Sequence, residues 1–367
     1  MSKQAWRRTW FQVHKWIGLI LAILIIPICL TGSALVWKGA TDRIANPARY
    51  ATSGATMLPA ERYAEAAQAV LAPGERINSL TMPEGNGPVV VAATQAGKGP
   101  PRGRPVRMMV YLDPPTAKVL DQAASNEGVL RVFHVLHGSL MVPGVGRKIV
   151  GWLGVAMMVS AFTGIWLWWP MVGRWSKGLR WRRHANLDTN LHHMAGFWIS
   201  LPLFVLSLTG AWISFPAFFG ALTGAEPRSG PPPRRAPPPQ PTDPQRSLDQ
   251  AIAIAGARVP GDVREVRWPA GDDARWTVTI GTKEVAVDDA SGEVATISTP
   301  RPRGGSGVAG WMRRIHDGNG TGPVWQTIIF LGGLLPAGLA ITGVIMWWRA
   351  RTWRGRLAAR KKGAATA

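Results

Sequence analysis

HKWIGLILAILIIPICLTG, residues 14–32, and HHMAGFWISLPLFVLSLTG, residues 192–210, are built alike. Each opens on histidine, carries glycine four positions later and closes on Thr-Gly. The landmarks are His14, Gly18 and Gly32 in the first stretch and His192, Gly196 and Gly210 in the second. Each leads into a run, Ile17–Trp37 and Met194–Phe219, that contains no Asp, Glu, Lys or Arg. About 20 apolar residues cross the ~30 Å hydrocarbon layer of a bilayer, so each run reads as a transmembrane helix. Ile149–Trp169 and Val324–Trp348 are two more runs of the same kind. The expectation is an α-helical integral membrane protein with four transmembrane helices.

The second and fourth runs also match each other. They end on Thr163-Gly164-Ile165-Trp166-Leu167-Trp168-Trp169 and Thr342-Gly343-Val344-Ile345-Met346-Trp347-Trp348, and His137 precedes Gly164 by the same interval as His316 precedes Gly343. Equal offsets at four landmark pairs predict an internal tandem repeat. The first run follows Lys3, Arg7 and Arg8 as a signal peptide would. It is too long for one, lacks a small-residue cleavage site and recurs later, so it is expected to be retained.

The net charge of +21 could suggest nucleic acid, but its placement argues against that partner. Basic side chains gather at Lys3, Arg7, Arg8 and Lys15, at Arg174, Lys177, Arg180, Arg182 and Arg183, and in the tail from Arg349 to Lys362. Asp188 is the only acidic residue in those segments. Four spans put all three on one side, which is the positive-inside pattern with both termini cytoplasmic. Anionic lipid is their expected partner, and the same basic face would also suit an acidic electron donor. Cys29, the single cysteine, excludes an intramolecular disulfide, a thiolate metal site and covalent C-x-x-C-H haem attachment.

The two long segments between spans read as twins. Pro59–Leu71 has helical spacing, Ser79–Ala93 and Arg107–Leu112 read as strands, and 113–118 turns into another short strand. In the second, Ser247–Val259 is helical, Val263–Trp268 and Trp276–Ile280 are strands, and 288–293 repeats the turn. Each is expected to be a small α+β extracytoplasmic domain with a thin core that leans on its twin or the membrane. The organisation is then 1–37 for the N-terminus and first span, 38–130 for the first domain, and 131–169 for a lead-in and second span. A basic loop occupies 170–191, the third span 192–219, a Pro/Arg-rich linker 220–246 and the second domain 247–310. A lead-in and fourth span fill 311–348, and a basic tail 349–367.

All seven histidines sit at or near the ends of the apolar runs. Imidazole can bind haem iron from the end of a membrane helix, which makes them candidate axial ligands. Positions i and i+4 share a helix face, so Gly18 and Gly196 leave room for a flat macrocycle beside His14 and His192. These two open parallel helices at one depth. His193 competes with His192 and points about 100° away. At the other face the repeat pairs His137 with His316. His134 shares a face with His137, aligns with Arg313, and is the alternative there. His184 falls in the basic loop and reads as solvated. Arg131, Arg313 and Arg314 on one side, and Arg7, Arg8 and Lys15 on the other, could meet haem propionates or headgroups. Most tryptophans read as interfacial belts, including Trp168, Trp169, Trp347 and Trp348.

The alternation of span, small domain and span, repeated with Val13-His14-Lys15-Trp16-Ile17-Gly18, Val135-Leu136-His137-Gly138, Leu191-His192-His193-Met194-Ala195-Gly196, Ile315-His316 and the Thr-Gly…Trp-Trp endings, resembles the PepSY-associated transmembrane family over nearly the whole chain. That resemblance implies PepSY-like extracytoplasmic domains, a bacterial inner-membrane location, and the ferric-siderophore reductases of the family with two b-type haems. It implies electron passage from a separate cytoplasmic donor, such as a flavoprotein, to a periplasmic ferric siderophore or other ferric chelate, releasing ferrous iron. His14, His192, His137 and His316 would then ligate haem iron. A non-redox PepSY protein with a regulatory, sensing or peptidase-restraining role is the alternative. A transporter fits poorly, since no span carries a charged residue. No nucleophile–base set, P-loop or dinucleotide fingerprint appears.

Overall fold

The computed structural model describes the chain except residues 1, 84, 96–105, 170–174, 182–183, 224–240, 272, 300–306 and 366–367, and gives backbone alone at 3, 95, 177–178, 354 and 357–365. Most of the expected Pro/Arg-rich linker, and Arg174, Arg182 and Arg183, lie outside the described residues. The chain divides into a helical unit (1–38, 132–227 and 303–367) and a sheet unit (39–131 and 228–302).

Among the described residues, four helices of the first unit are long and apolar enough to cross a membrane. They are α1 (Lys3–Val36), α5 (Gly146–Trp168), α6 (Leu187–Ser214) and α10 (Gly322–Ala365). Helix α1 packs on α5 and α10, and α6 packs on the same two, so the four close into a bundle. The third helix begins at Leu187, earlier than expected, and stops at Ser214 instead of reaching residue 219. Pro216 explains the stop, because proline disfavours helical backbone in the residue before it. It restarts the chain as the short α7 (Pro216–Leu222). Helix α10 runs on through the basic tail, which is rich in the good helix formers Arg, Ala and Lys.

Two short helices precede spans: α4 (Val129–Ser139) carries His134 and His137, and α9 (Gly307–Asp317) carries Arg313 and His316. The corner from α4 to α5 is tight, and Leu140 and Met141 both take left-handed backbone, with φ of 51° and 58°. A Cβ on Gly146 would fall 1.9 Å from the Ser139 carbonyl oxygen, so only glycine fits there. Trp325 Nε1 donates to the Ile315 carbonyl at 2.8 Å and ties α9 to the start of α10.

In the sheet unit the two expected small domains lean on each other by sharing one sheet. Its eight strands form one antiparallel sheet in the order β4-β3-β2-β1-β5-β6-β7-β8. The first four are β1 (Glu75–Thr81), β2 (Val89–Gln95), β3 (Arg107–Leu112) and β4 (Val119–Ala124). The second four are β5 (Val263–Arg267), β6 (Arg275–Ile280), β7 (Lys283–Asp288) and β8 (Val294–Ser298). The halves join where β1 pairs with β5, in the register Ser79 to Arg267, Leu80 to Val266 and Thr81 to Glu265. The pairing covers two otherwise bare edges and merges two thin cores into one.

Alternate residues of each strand face that core. Leu80, Val89, Val91, Val110, Leu112, Val266, Trp276, Val278, Val285 and Val287 are fully buried there. Above them lie α3 (Ala60–Gln68) and α8 (Leu248–Arg258), which supply Tyr63, Ala67, Leu248, Ala251 and Ala255. The two helices cap each other. Asp249 accepts from the Ala60 and Glu61 amides at 2.8 and 3.4 Å, and Glu61 accepts from the Leu248 amide at 2.9 Å. Carboxylates at helix N-termini satisfy orphan amides and oppose the positive end of the helix dipole. At the outer end of the first half, α2 (Lys38–Ala45) and the turn Pro47–Tyr50 bring Asp42 and Arg49 together at 3.0 Å, and Arg49 also meets Asp121 at 2.6 Å.

Candidate functional site

The bundle brings four of the seven histidines into two opposed pairs. His14 of α1 faces His192 of α6, with ring centroids 6.4 Å apart. His137 of α4 faces His316 of α9 at 6.0 Å. An imidazole nitrogen sits about 2 Å from a bound metal, and the ring centre lies about 1.1 Å beyond it, so two imidazoles sharing one ion have centroids about 6 Å apart. Both pairs stand at that spacing. Among the described residues no group of three or more His, Cys, Asp or Glu side chains gathers for a bare metal ion. Two ligands on opposite sides suit a metal whose other positions a macrocycle fills.

Each imidazole rests on a neighbouring helix through Nδ1. His14 Nδ1 lies 3.1 Å from both the Ser160 carbonyl and Thr163 Oγ1 on α5, with Ser160 Oγ at 3.4 Å. His192 Nδ1 lies 2.9 Å from Thr342 Oγ1 on α10. His137 Nδ1 is 2.9 Å from the Ile28 carbonyl on α1. His316 Nδ1 is 3.1 Å from the Leu206 carbonyl and 3.0 Å from Thr209 Oγ1 on α6. The glycine after each threonine lies under a ring: Gly164 under His14, Gly343 under His192, Gly32 under His137 and Gly210 under His316. These Thr-Gly pairs were the landmarks of the repeat. Their contact with histidines of other helices leaves no trace in sequence spacing.

A cavity of about 670 Å³ opens beside the first pair. His14, His192, Gly18, Gly196, Arg7 and Arg8 are among its walls. A Cβ on Gly18 would meet nothing within 4 Å, and one on Gly196 only Leu339 Cδ2 at 4.0 Å, so both glycines border open space. The volume is within the usual range for an organic ligand. Its volume, the open space at Gly18 and Gly196 and the basic Arg7 and Arg8 on its wall are compatible with a flat, acidic organic group beside His14 and His192.

The competing histidines separate. His193 also borders the cavity, but its ring stacks on exposed His184 at 4.6 Å, whereas His192 faces His14. His134 is exposed, whereas His137 faces His316. Arg7 donates to the Leu167 carbonyl and to that of Trp169 at 3.0 Å, closing the end of α5. Lys15 bonds Gln12 and covers the Trp16 ring. Arg131 is exposed, Arg313 lies 3.8 Å from Asp317, and Arg314 covers the Trp311 ring. Trp168 departs from the belt expectation, being buried against Phe197 with ring centroids 4.1 Å apart, while Trp169 and Trp348 are exposed.

The family profile of the PepSY-associated TM region matches residues 11–350. No curated protein matches the chain.

Proposed function

The chain belongs to the PepSY-associated TM family, and from that premise we propose that it carries electrons across the bacterial inner membrane on two b-type haems. The donor is a cytoplasmic reductant such as a flavoprotein, and the acceptor a periplasmic ferric siderophore or other ferric chelate. The observation that carries this reading is the double opposition of His14 to His192 and of His137 to His316, at the spacing two imidazoles adopt across one metal. Haem, when bound, supplies a one-electron carrier whose potential follows axial ligation, burial and nearby charge.

The chain's own residues do the rest. Carbonyl oxygens only accept hydrogen bonds, so at His14, His137 and His316 they favour a proton on Nδ1 and leave the Nε2 lone pair free to ligate. His14 and the Ile28 carbonyl that holds His137 are separated by fourteen residues of α1, as are His192 and the Leu206 carbonyl on α6. At 1.5 Å per residue the pairs are about 21 Å apart along the bundle, which divides the membrane into shorter transfer distances. Along this stretch Ile25, Cys29, Met157 and Ala337 form a buried apolar cluster. On the positive-inside pattern of the basic segments, the first pair, beside Arg7 and Arg8, is the cytoplasmic one in this proposal. The sheet unit is then periplasmic, and the matching halves descend from a tandem repeat. Reduction of the acceptor needs no acid or base: ferric iron gains one electron, and the weaker ferrous chelate releases its metal.

The test is vectorial. Haem-loaded protein in liposomes with a trapped reductant should reduce an external ferric chelate, read by a ferrous-specific dye, and His14→Ala and His316→Ala should abolish it. Wild-type vesicles that form no external ferrous iron despite reduced haem would overturn the reductase assignment.

A further inference from the structure

We propose that Thr163, Thr209 and Thr342 fix the tautomers of His14, His316 and His192 from neighbouring helices, and that Gly32, Gly164, Gly210 and Gly343 set the planes of all four ligating rings, all of them as positioning residues; this rests on the haem reading above. The threonine hydroxyls are committed to their own helices. Thr31 Oγ1 donates to the Pro27 carbonyl at 2.6 Å, Thr163 to Val159 at 2.8 Å, Thr209 to Val205 at 2.9 Å and Thr342 to Gly338 at 2.9 Å. A hydroxyl has one hydrogen, so the oxygens that face His14, His192 and His316 are left as acceptors. The Ser160 and Leu206 carbonyls, three positions before Thr163 and Thr209, accept from the Nδ1 atoms of His14 and His316 as well, and the Ile28 carbonyl, three before Thr31, accepts from that of His137. Each ring is thereby held with its proton on Nδ1 and its lone pair on Nε2. A hydrogen bond to the far nitrogen also makes a ligating imidazole a stronger donor to its metal.

The glycines set the plane, and their clearances are graded. An added Cβ would lie 2.7 Å from His137 Cε1 at Gly32, 3.1 Å from His316 Cε1 at Gly210, 3.3 Å from His14 Cε1 at Gly164 and 3.5 Å from His192 Cε1 at Gly343. Alanine fits at 343 in ordinary contact and must displace the ring at 32. The His137/His316 pair is therefore the more tightly seated of the two. The hydroxyls are graded as well: Thr342 bonds His192 directly at 2.9 Å, whereas His137 takes its bond from the Ile28 carbonyl. Thr342 should matter to its ligand and Thr31 much less.

Two measurements on the full chain test this. The first is solid-state NMR of 15N-histidine-labelled protein in lipid, prepared without added haem. Protonated Nδ1 and bare Nε2 at the four paired rings support the proposal, and Nε2–H tautomers overturn it. The second is a haem count with redox titration of the loaded protein. Gly32→Ala should lose the haem of the His137/His316 pair, while Gly343→Ala keeps both. Thr342→Val should raise the midpoint potential of the His14/His192 haem, Thr342→Ser should restore it, and Thr31→Val should leave both potentials unmoved. Unchanged haem signatures in Gly32→Ala, or equal shifts in Thr31→Val and Thr342→Val, would overturn the positioning roles. A wild-type chain without haem would instead sink the electron-transfer reading, and the tautomers would still decide this one.

Discussion

Replacing Asp249 by alanine tests whether the two halves of the sheet unit are held by mutual capping. Helix α3 begins after Pro59, which offers no side-chain cap, so its first amides depend on the Asp249 carboxylate. Loss of a capping side chain costs about 1 kcal/mol and loss of its charge at the helix dipole about 0.5 kcal/mol, giving about 1.5 kcal/mol for α3. Glu61 has the reciprocal role at α8, but that helix keeps a capping box in which Ser247 Oγ accepts from the Gln250 amide at 3.2 Å and Gln250 Oε1 from the Ser247 amide at 3.2 Å. Glu61→Ala should therefore cost only about 0.5 kcal/mol. Hydrogen exchange with mass spectrometry on the full chain reads both. Peptides covering 60–68 should exchange about tenfold faster in Asp249→Ala, and those covering 248–258 about twofold faster in Glu61→Ala. Equal effects, or unaltered α3 exchange in Asp249→Ala, would refute the reasoning.

Three further outcomes are expected. Burial alone would raise the Asp113 carboxyl, but hydrogen bonds from the Ser53 hydroxyl, the Thr116 hydroxyl and the Ser53 amide outweigh it and hold the group below its ordinary value of 3.8. A depressed folded pKa stabilises above the unfolded value and is lost as pH falls through the folded one. The Tm difference between wild type and Asp113→Asn should thus hold steady from pH 7 to about 5 and shrink only at lower pH; a difference that vanishes above pH 5 would contradict this. Arg7→Ala should remove charged hydrogen bonds that, discounted for partial exposure, contribute about 1 kcal/mol. Haem loss from the first pair on detergent dilution should be about fivefold faster, with the second pair unaffected, as followed by visible absorbance. Cys29 is buried and should not react with a membrane-impermeant maleimide. In cells with a permeabilised outer membrane, Ser298→Cys should label while the inner membrane is intact and Arg356→Cys only after that membrane is broken; the reverse would invert the topology.

The four spans were legible because uncharged runs of that length have few other uses, and their ends alone shifted, as at Leu187, at Phe215 before Pro216 and along the charged but helix-favouring tail of α10. The strands were harder to read. Ser79–Ala93 is an antiparallel pair, because Pro83, Gly85 at φ 60° and Pro88 interrupt extended backbone. The short β7 begins with Lys283 and Glu284, which hide the inward Val285 and Val287. The union of β1 with β5 depends on edges far apart in the chain, and no local pattern records it. For the site, equal offsets anticipated which histidines would meet. The seats under them escaped notice, since each joins a histidine to a Thr-Gly pair on a different helix, as His137 joins Ile28 and Gly32.

The most direct measurement is the haem content of the purified protein. Pyridine haemochrome assay and oxidised and reduced visible spectra should give two b-type haems per chain with low-spin bis-imidazole bands. His14→Ala and His316→Ala should each leave one. A chain that takes up no haem when haem is supplied, or one whose haem survives alanine at His14, His192, His137 and His316 alike, would contradict the account.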